Sequence, residues 1–368
     1  MGSSTDVLVI GGGPAGLAAA IAARKKGLRV SVADGAKPPI DKACGEGLLP
    51  GTLAALLELG VDISRIDGRI FRRIRFLDRE ISAEANFSGE CGMGARRTVL
   101  HQTMAEHAEG CGVKLLWNSP VTGMSRAGAI VAGKEILAKW IIGADGIQSR
   151  VRRWSGLDAD LSRQVRFAQS RHFRMGGLTD CVEVHWGHKT QAYVTPLGKE
   201  EVCVAVISGD PRVQFDEALK EFPVLACGLR NAELSGVQRG TITAMCKLNR
   251  VCRGNVALIG DASGSVDAVT GEGLGLSFRQ ALALGDALEA GNLEKYEAAH
   301  SRLARRPAIM ARLLLVLDQC APLRRRVLSG LAYDPGLFSR MLAVHVKDTS
   351  TAFLAKTSAQ LGWRLITV

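Results

Sequence analysis

Apolar positions along this chain follow two rhythms. Val7 to Ile10 is a continuous apolar run that meets Gly11-Gly12-Gly13-Pro14-Ala15-Gly16. A run of that length bounded by glycine predicts a strand buried on both faces. The Ala-rich stretch Ala18 to Lys26, closed by Gly27, predicts a helix, and Leu28 to Ala33 a second strand ending at Asp34. Pro50 to Leu59, stopped by Gly60, predicts a helix. Ile70 to Phe76 and Ile81 to Phe87 predict strands of another sheet, Thr98 to Glu109 an amphipathic helix, Val113 to Trp117 a strand and Gly123 to Lys134 a hairpin. Trp140 to Gly143 returns as a buried strand. From about 160 to 250 the rhythm changes to alternation, in Cys181 to Trp186, Thr190 to Thr195 and Val202 to Ile207, as antiparallel strands require, with a helix over Phe215 to Phe222. Val256 to Ile259 is a third buried run, Leu274 to Ala290 a long helix, and the remainder mostly helical. The pattern predicts an α/β protein with a discontinuous first domain (1–75, 98–160 and 250–300). An inserted mixed or antiparallel sheet (76–97 and 161–249) and a helical C-terminal segment (301–368) complete it.

The first strand, glycine turn and helix form a dinucleotide-binding pattern of the Rossmann type. Gly11 permits the tight turn, Gly13 lets backbone approach a pyrophosphate, and Gly16 lets the helix pack on the strand. Pro14 and Ala15 open the helix, whose free N–H groups favour an anion. Asp34 stands where an acid binds ribose hydroxyls and repels a 2′-phosphate, or where it caps the turn before Gly35. Alone, the glycines do not separate NAD from FAD. Their pairing with Gly260-Asp261-Ala262 points to non-covalent FAD.

The 368 residues suffice for two domains, and 47% are apolar. Charge interrupts every apolar run short of the ~20 residues a membrane helix needs. Nine cysteines without metal-ligand spacing suggest reduced thiols, a cytoplasmic protein and no metal. The net charge of +11 favours anionic partners, yet only 5% aromatics and no basic–aromatic platform argue against nucleic acid. Ser301 to Gly330 carries seven arginines and one aspartate around the apolar stretch Ile309 to Leu317. That segment is either a peripheral contact with anionic lipid or a core helix with a solvated basic face.

These motifs resemble the FAD superfamily of aromatic hydroxylases, geranylgeranyl reductases and flavin halogenases, from residue 6 to about 300. The resemblance rests on Gly11 to Gly16 with Asp34, on Arg97-Thr98-Val99-Leu100, on Gly143-Ala144-Asp145-Gly146 through Arg152, and on Gly260-Asp261 with Asp267 to Gly273. It implies Arg97 near the ribityl–phosphate chain, Asp261 on a ribityl hydroxyl, and Asp145 tying a loop between the domains. Gly271, Glu272, Gly273 and Leu274 would shape the flavin edge, where a helix N-terminus stabilises the reduced, anionic form. Gly45 and Val121 complete the expected cofactor contacts.

Branch assignment is divided. Cys44-Gly45-Glu46-Gly47 and Thr270-Gly271-Glu272-Gly273 resemble the reductases, whereas Ser149-Arg150-Val151-Arg152 resembles the hydroxylases. The reductase Tyr-x-Trp-x-Phe-Pro has only Ala192-Tyr193-Val194-Thr195-Pro196 as a counterpart, and the halogenase Trp-x-Trp-x-Ile is absent. The first expectation is an NAD(P)H- and O2-dependent monooxygenase of a hydrophobic aromatic or polyketide-like molecule, with His185, His172 or Tyr193 as candidate base. The alternative is reduction of isoprenoid double bonds, with Cys44 and Glu46 central. Halogenation is the least favoured of the three, and a redox partner or sensor without a small substrate is a further alternative.

Overall fold

The computed structural model describes residues 4–87, 89–157, 164–176, 179–346 and 360. Its first sheet is eight-stranded. β1 (Ser4–Ile10) lies at the centre, parallel to β2 (Val30–Ala33) on one side and to β11 (Lys134–Gly143) on the other. β8 (Lys114–Leu116) continues beyond β2, and β19 (Val256–Leu258) beyond β11, both parallel. β18 (Cys252–Arg253) closes that edge, and the hairpin β9 (Val121–Met124) and β10 (Gly128–Val131) feeds β11. α1 (Pro14–Lys25) packs against α7 (Gly273–Glu289) and α3 (Arg97–Gly110). Val7, Leu8 and Val9 are fully buried at the heart of the core that this sheet, α1, α7 and the β9–β10 hairpin share. The alanines of α1 permit close helix approach, and a Cβ on Gly285 would come 3.2 Å from Ala22. α2 (Pro50–Leu59) spans the predicted residues and ends at Gly60, whose φ of +88° suits glycine alone.

Register decides where the site lies. Ile10 is level with both Ala33 and Gly143, and Gly143 with Leu258. The carboxyl ends of four parallel strands therefore share one edge, the position where open α/β sheets bind ligands.

The second sheet has nine strands. Its order is β20 (Gly264–Ser265), β17 (Arg239–Lys247), β12 (Gln164–Arg174), β15 (Glu201–Ser208), β14 (Thr190–Pro196), β13 (Cys181–Trp186), β5 (Arg73–Asp78) and β6 (Ile81–Asn86). β16 (Glu233–Leu234) pairs at the end of β12, and β13 with β5 is the parallel pair. One face packs on the short helices α5 (Phe215–Leu219) and α6 (Pro223–Leu229) through Phe173, Val204 and Phe222. The other faces a cavity and the C-terminal helices α8 (Leu293–Gln319), α9 (Ala321–Tyr333) and α10 (Pro335–Val346). A three-stranded sheet of β3 (Gly47–Leu48), β7 (Gly92–Ala95) and β4 (Gly68–Phe71) joins the two, and α4 (Arg150–Trp154) follows β11.

Three expectations change. Ile70 to Phe76 is two strands, because β4 pairs with β7 while β5 pairs with β13; residues 73–75 thus lie in the second sheet. The helix expected over Phe215 to Phe222 stops at Leu219 as α5, and a second helix, α6, starts at Pro223. The helical C-terminal region begins at Leu293 rather than 301. β17 and β12, the second and third strands from the β20 edge of the second sheet, were not anticipated.

Candidate active site

At the shared strand edge, Gly11 has a φ of +108°, and a side chain there would strike the backbone of Ala144. A side chain on Gly16 would strike the carbonyl of Gly11. At Gly13, the N-cap of α1, a Cβ would meet nothing within 4 Å, so this face of the turn is open. The open turn, the N-terminus of α1 without a side-chain cap, and the buried Nε of Arg97, which has no partner among the described residues, form a cradle that fits a diphosphate. Pro14, Ala15, Gly45, Val121 and Arg97 all line the same cavity.

Asp34 also lines it, and both of its oxygens hold backbone: Gly12 N–H donates to Oδ2 (2.6 Å) and Ala36 N–H to Oδ1 (2.7 Å). It therefore caps the turn, with lone pairs remaining for a ribose. His101, which the sequence reading missed, donates from Nε2 to the carbonyl of Gly12 (2.8 Å) and fixes the same turn. Burial pushes His101 below the ordinary histidine range.

Asp261 reaches the cavity beside Lys42 Nζ (3.3 Å), and Gly260 takes a φ of +60°. Gly271 takes the left-handed φ of +65° that turns the chain into α7, and Gly273 and Leu274 line the cavity at that helix start. Asp145 lines the cavity and accepts hydrogen bonds from Ser149 Oγ, Arg150 N (2.7 Å) and Val151 N (3.1 Å), so it ties together the loop that leads into α4. Arg152 does the long-range bracing, donating to the carbonyl of Ala262 (3.2 Å). Glu272 is absent from the cavity lining; its carboxylate sits 3.7 Å from Arg279 on α7, because the N-cap position turns the side chain away from the glycines.

The Cys44–Gly47 loop forms another wall. Cys44 lines the cavity, and its Sγ accepts from Glu46 N–H (3.4 Å). Glu46 is not a solvated charge: it is 5% exposed, with a φ of +57°. Its Oε1 accepts from Arg97 N–H (2.8 Å), and its Oε2 pairs with His172 Nε2 (2.7 Å). One carboxylate thus ties the loop to α3 and to β12. The Cys203 thiol completes a buried trio in which one ligand atom from each of Glu46, His172 and Cys203 lies within 4.8 Å of the others. Burial pushes the Cys203 thiol well up, and that thiol donates to the carbonyl of Cys44 (3.4 Å). The three groups therefore pair with protein, and a metal would have to displace the thiol proton.

Strand alternation sorts the remaining candidates. Val182 and Val184 of β13 face the cavity, so His185 faces away. His185 pairs with Glu183 (3.0 Å) and packs edge-on against Phe222, which removes it from the site. Tyr193 does line the cavity; its hydroxyl donates to Gln191 Oε1 (2.9 Å), and burial pushes the phenol up, away from the range of a neutral-pH base. The cavity, about 710 Å3, extends beyond Tyr193 into an apolar arm walled by Phe76, Val184, Leu314, Val327, Leu331 and Phe338.

A cradle for FAD, with an apolar chamber beside the flavin edge, defines a flavoprotein oxidoreductase. The chain belongs to the FAD binding domain family, whose model matches residues 4–305. It is 29% identical to a digeranylgeranylglycerophospholipid reductase of Methanothermobacter thermautotrophicus over 74% of each chain. It is 29% identical to a menaquinone reductase of Mycolicibacterium smegmatis over 86% of this chain and 85% of that one. Among solved structures, a flavoprotein/dehydrogenase from Cytophaga hutchinsonii superposes with a TM-score of 0.85 over 99% of this chain and 100% of that one, at 19% identity.

Proposed function

We propose that this FAD-dependent oxidoreductase reduces carbon–carbon double bonds of an isoprenoid chain. The observation that carries the reading is the apolar arm. It is lined by aliphatic and aromatic side chains and belongs to the same cavity as the Cys44 loop and the Gly271–Leu274 helix start. A polyprenyl chain gains roughly 0.8 kcal/mol per buried CH2 in such a chamber. The reductase names of the relatives agree with it.

Bound FAD, reduced by a two-electron donor such as NAD(P)H, supplies the hydride. The chain's own residues hold and shield it. The N-terminus of α1 and Arg97 would hold the diphosphate, and the N-terminus of α7 would stabilise a reduced, anionic flavin. Glu46 positions the Cys44 loop, and the arm excludes water. This ranks reduction above monooxygenation. The Ser149–Arg152 stretch that resembled hydroxylases caps α4 and braces Ala262, and neither contact concerns oxygen.

The outward face of α8 suits the same substrate. Ile309, Leu313 and Val316 form an exposed apolar stripe below Arg302, Arg305 and Arg312, while Leu314 and Leu317 face the cavity. We read that stripe as a contact with anionic lipid. Among the described residues no helix is long and apolar enough to cross a membrane.

The test is anaerobic. Photoreduced protein is mixed with a geranylgeranyl lipid, and flavin absorbance and product mass are followed. Reoxidation with a gain of two hydrogens supports the reading. Product formation that requires oxygen and adds an oxygen atom overturns it in favour of a monooxygenase.

A further inference from the structure

A closed polar circuit lies buried at the cavity wall, on the turn that leads into α7. Asp267 starts it, fully buried on the loop before α7 and part of the cavity wall. Its Oδ1 accepts from Val269 N–H (2.9 Å) and from Arg166 Nη1 (2.9 Å). Arg166 Nη2 donates to Asp318 Oδ2 of α8 (3.4 Å), and Gln191 Nε2 donates to Asp318 Oδ1 (3.0 Å). Gln191 Oε1 accepts from the Tyr193 hydroxyl, which lies 3.3 Å from the carbonyl of Val269, next to the start. One atom is left over: Asp267 Oδ2 is buried with no hydrogen-bond partner among the described residues.

Two buried carboxylates share one guanidinium here. Ionised together they leave a net negative charge, which a buried site opposes. The other charged group acting on Asp318 from the surrounding elements is Arg324 of α9, which is itself paired with Asp78 (2.7 Å). Burial pushes Asp318 above the usual carboxylate range. A buried carboxyl oxygen without a partner is where a carboxylic O–H facing a ligand would sit.

We propose that Asp267 is the catalytic acid of this enzyme, delivering a proton from Oδ2 to the double bond, with Arg166 and Asp318 as positioning residues that hold its carboxyl in place. This rests on the isoprenoid reading. An isolated alkyl-substituted double bond has no electron-withdrawing group to accept hydride unaided, so proton delivery must lead or accompany it. The step balances. The π pair of the alkene takes the Oδ2 proton to form one C–H bond, and hydride from the two-electron-reduced flavin forms the other. Asp267 is left as carboxylate, held by Arg166, and takes its next proton from water entering the emptied cavity.

The experiment compares holoenzyme with Asp267→Asn and Asp318→Asn, with the bound-flavin spectrum confirming that each variant is folded and loaded. Infrared spectroscopy at neutral pH reads the protonated-carboxyl C=O stretch without turnover. The wild type is expected to show a band that shifts in D2O and is absent from both variants, since removing either carboxylate leaves a neutral pair with Arg166. Anaerobic reoxidation of reduced enzyme by a geranylgeranyl lipid is expected to slow roughly 10²–10⁴-fold in Asp267→Asn. Asp318→Asn is expected to move the pH profile of that step. A missing wild-type band, a band surviving in either variant, or wild-type rates in Asp267→Asn overturns the proposal. Wild-type enzyme that no isoprenoid reoxidises overturns the functional reading and the assigned reaction together, whereas a negative infrared result beside normal reduction overturns Asp267 alone.

Discussion

Replacing Glu46 by alanine removes one side chain and strands two partners. The amide of Arg97, 2.8 Å from Oε1, loses its acceptor at the first turn of α3, and His172, 2.7 Å from Oε2, is left buried opposite a void. Breaking a buried, hydrogen-bonded charged contact by deleting one partner costs about 3–5 kcal/mol. Glu46→Gln keeps the acceptor for Arg97 and gives His172 an amide, so only the charged character is lost. That change should cost about 1.5–3 kcal/mol. The left-handed φ of +57° is common to both variants and cancels between them. Urea unfolding, followed by tryptophan fluorescence and by flavin absorbance in parallel, measures both. The alanine variant should also loosen the Cys44 loop, so flavin release should precede global unfolding. An alanine variant within about 0.5 kcal/mol of wild type, the range of an ordinary surface change, would refute the claim that Glu46 holds this site together.

Gly13→Val should abolish FAD binding with little loss of apoprotein stability, since its side chain would enter open space rather than protein. Gly16→Val should instead destabilise the apoprotein itself, by about 1–3 kcal/mol or more of overpacking against Gly11. Equal behaviour of the two in apoprotein melts and flavin titration would count against the cradle. Asp34→Ala should weaken FAD binding by about 1–3 kcal/mol, read by flavin fluorescence; unchanged affinity would mean that Asp34 serves its own turn and nothing else. His300 is held down to about 4 by burial, from an ordinary 6.5, beside Ser263 Oγ (2.9 Å). It stays neutral in the folded chain while the unfolded chain takes up a proton below 6.5. Stability should therefore fall as pH drops from 6.5 towards 4, by about 3 kcal/mol in all, and His300→Gln should flatten that slope in a chemical-denaturation series across pH.

Local chemistry made the cofactor site readable. Val7 to Ile10 is buried on both faces and looks it, and Gly11, Gly16 and Gly271 sit where the backbone admits no side chain or takes a positive φ. Such demands act within a few residues, so sequence order exposes them. The second sheet was harder. β12 puts Arg166, Ser170 and His172 on its cavity side, so its inward face is polar and hides the strand period. With β12 unread, the pairing of His172 with Glu46, 126 positions away, had no local signal. Asp318 looked like a charge that merely interrupts an apolar helix. Its partner Arg166 lies 152 positions earlier, and only the packing of α8 over the sheet brings them together. His185 misled for the opposite reason, since its strand was read correctly but which face met the cavity was not.

The arm of the cavity is built by two different parts of the chain. The flavin end belongs to the strand edges and their glycine turns, while the far end is closed by α8, α9 and α10, with Phe338, Met341 and Leu342 at its wall. The depth available to a substrate is therefore set by residues that hold no cofactor. On the proposed isoprenoid reading, the last two helices would act as a gauge for chain length: shrinking Phe338 should admit a longer tail. Selectivity for tail length can thus drift through substitutions in α9 and α10 while the chemistry at the other end of the cavity stays as it is.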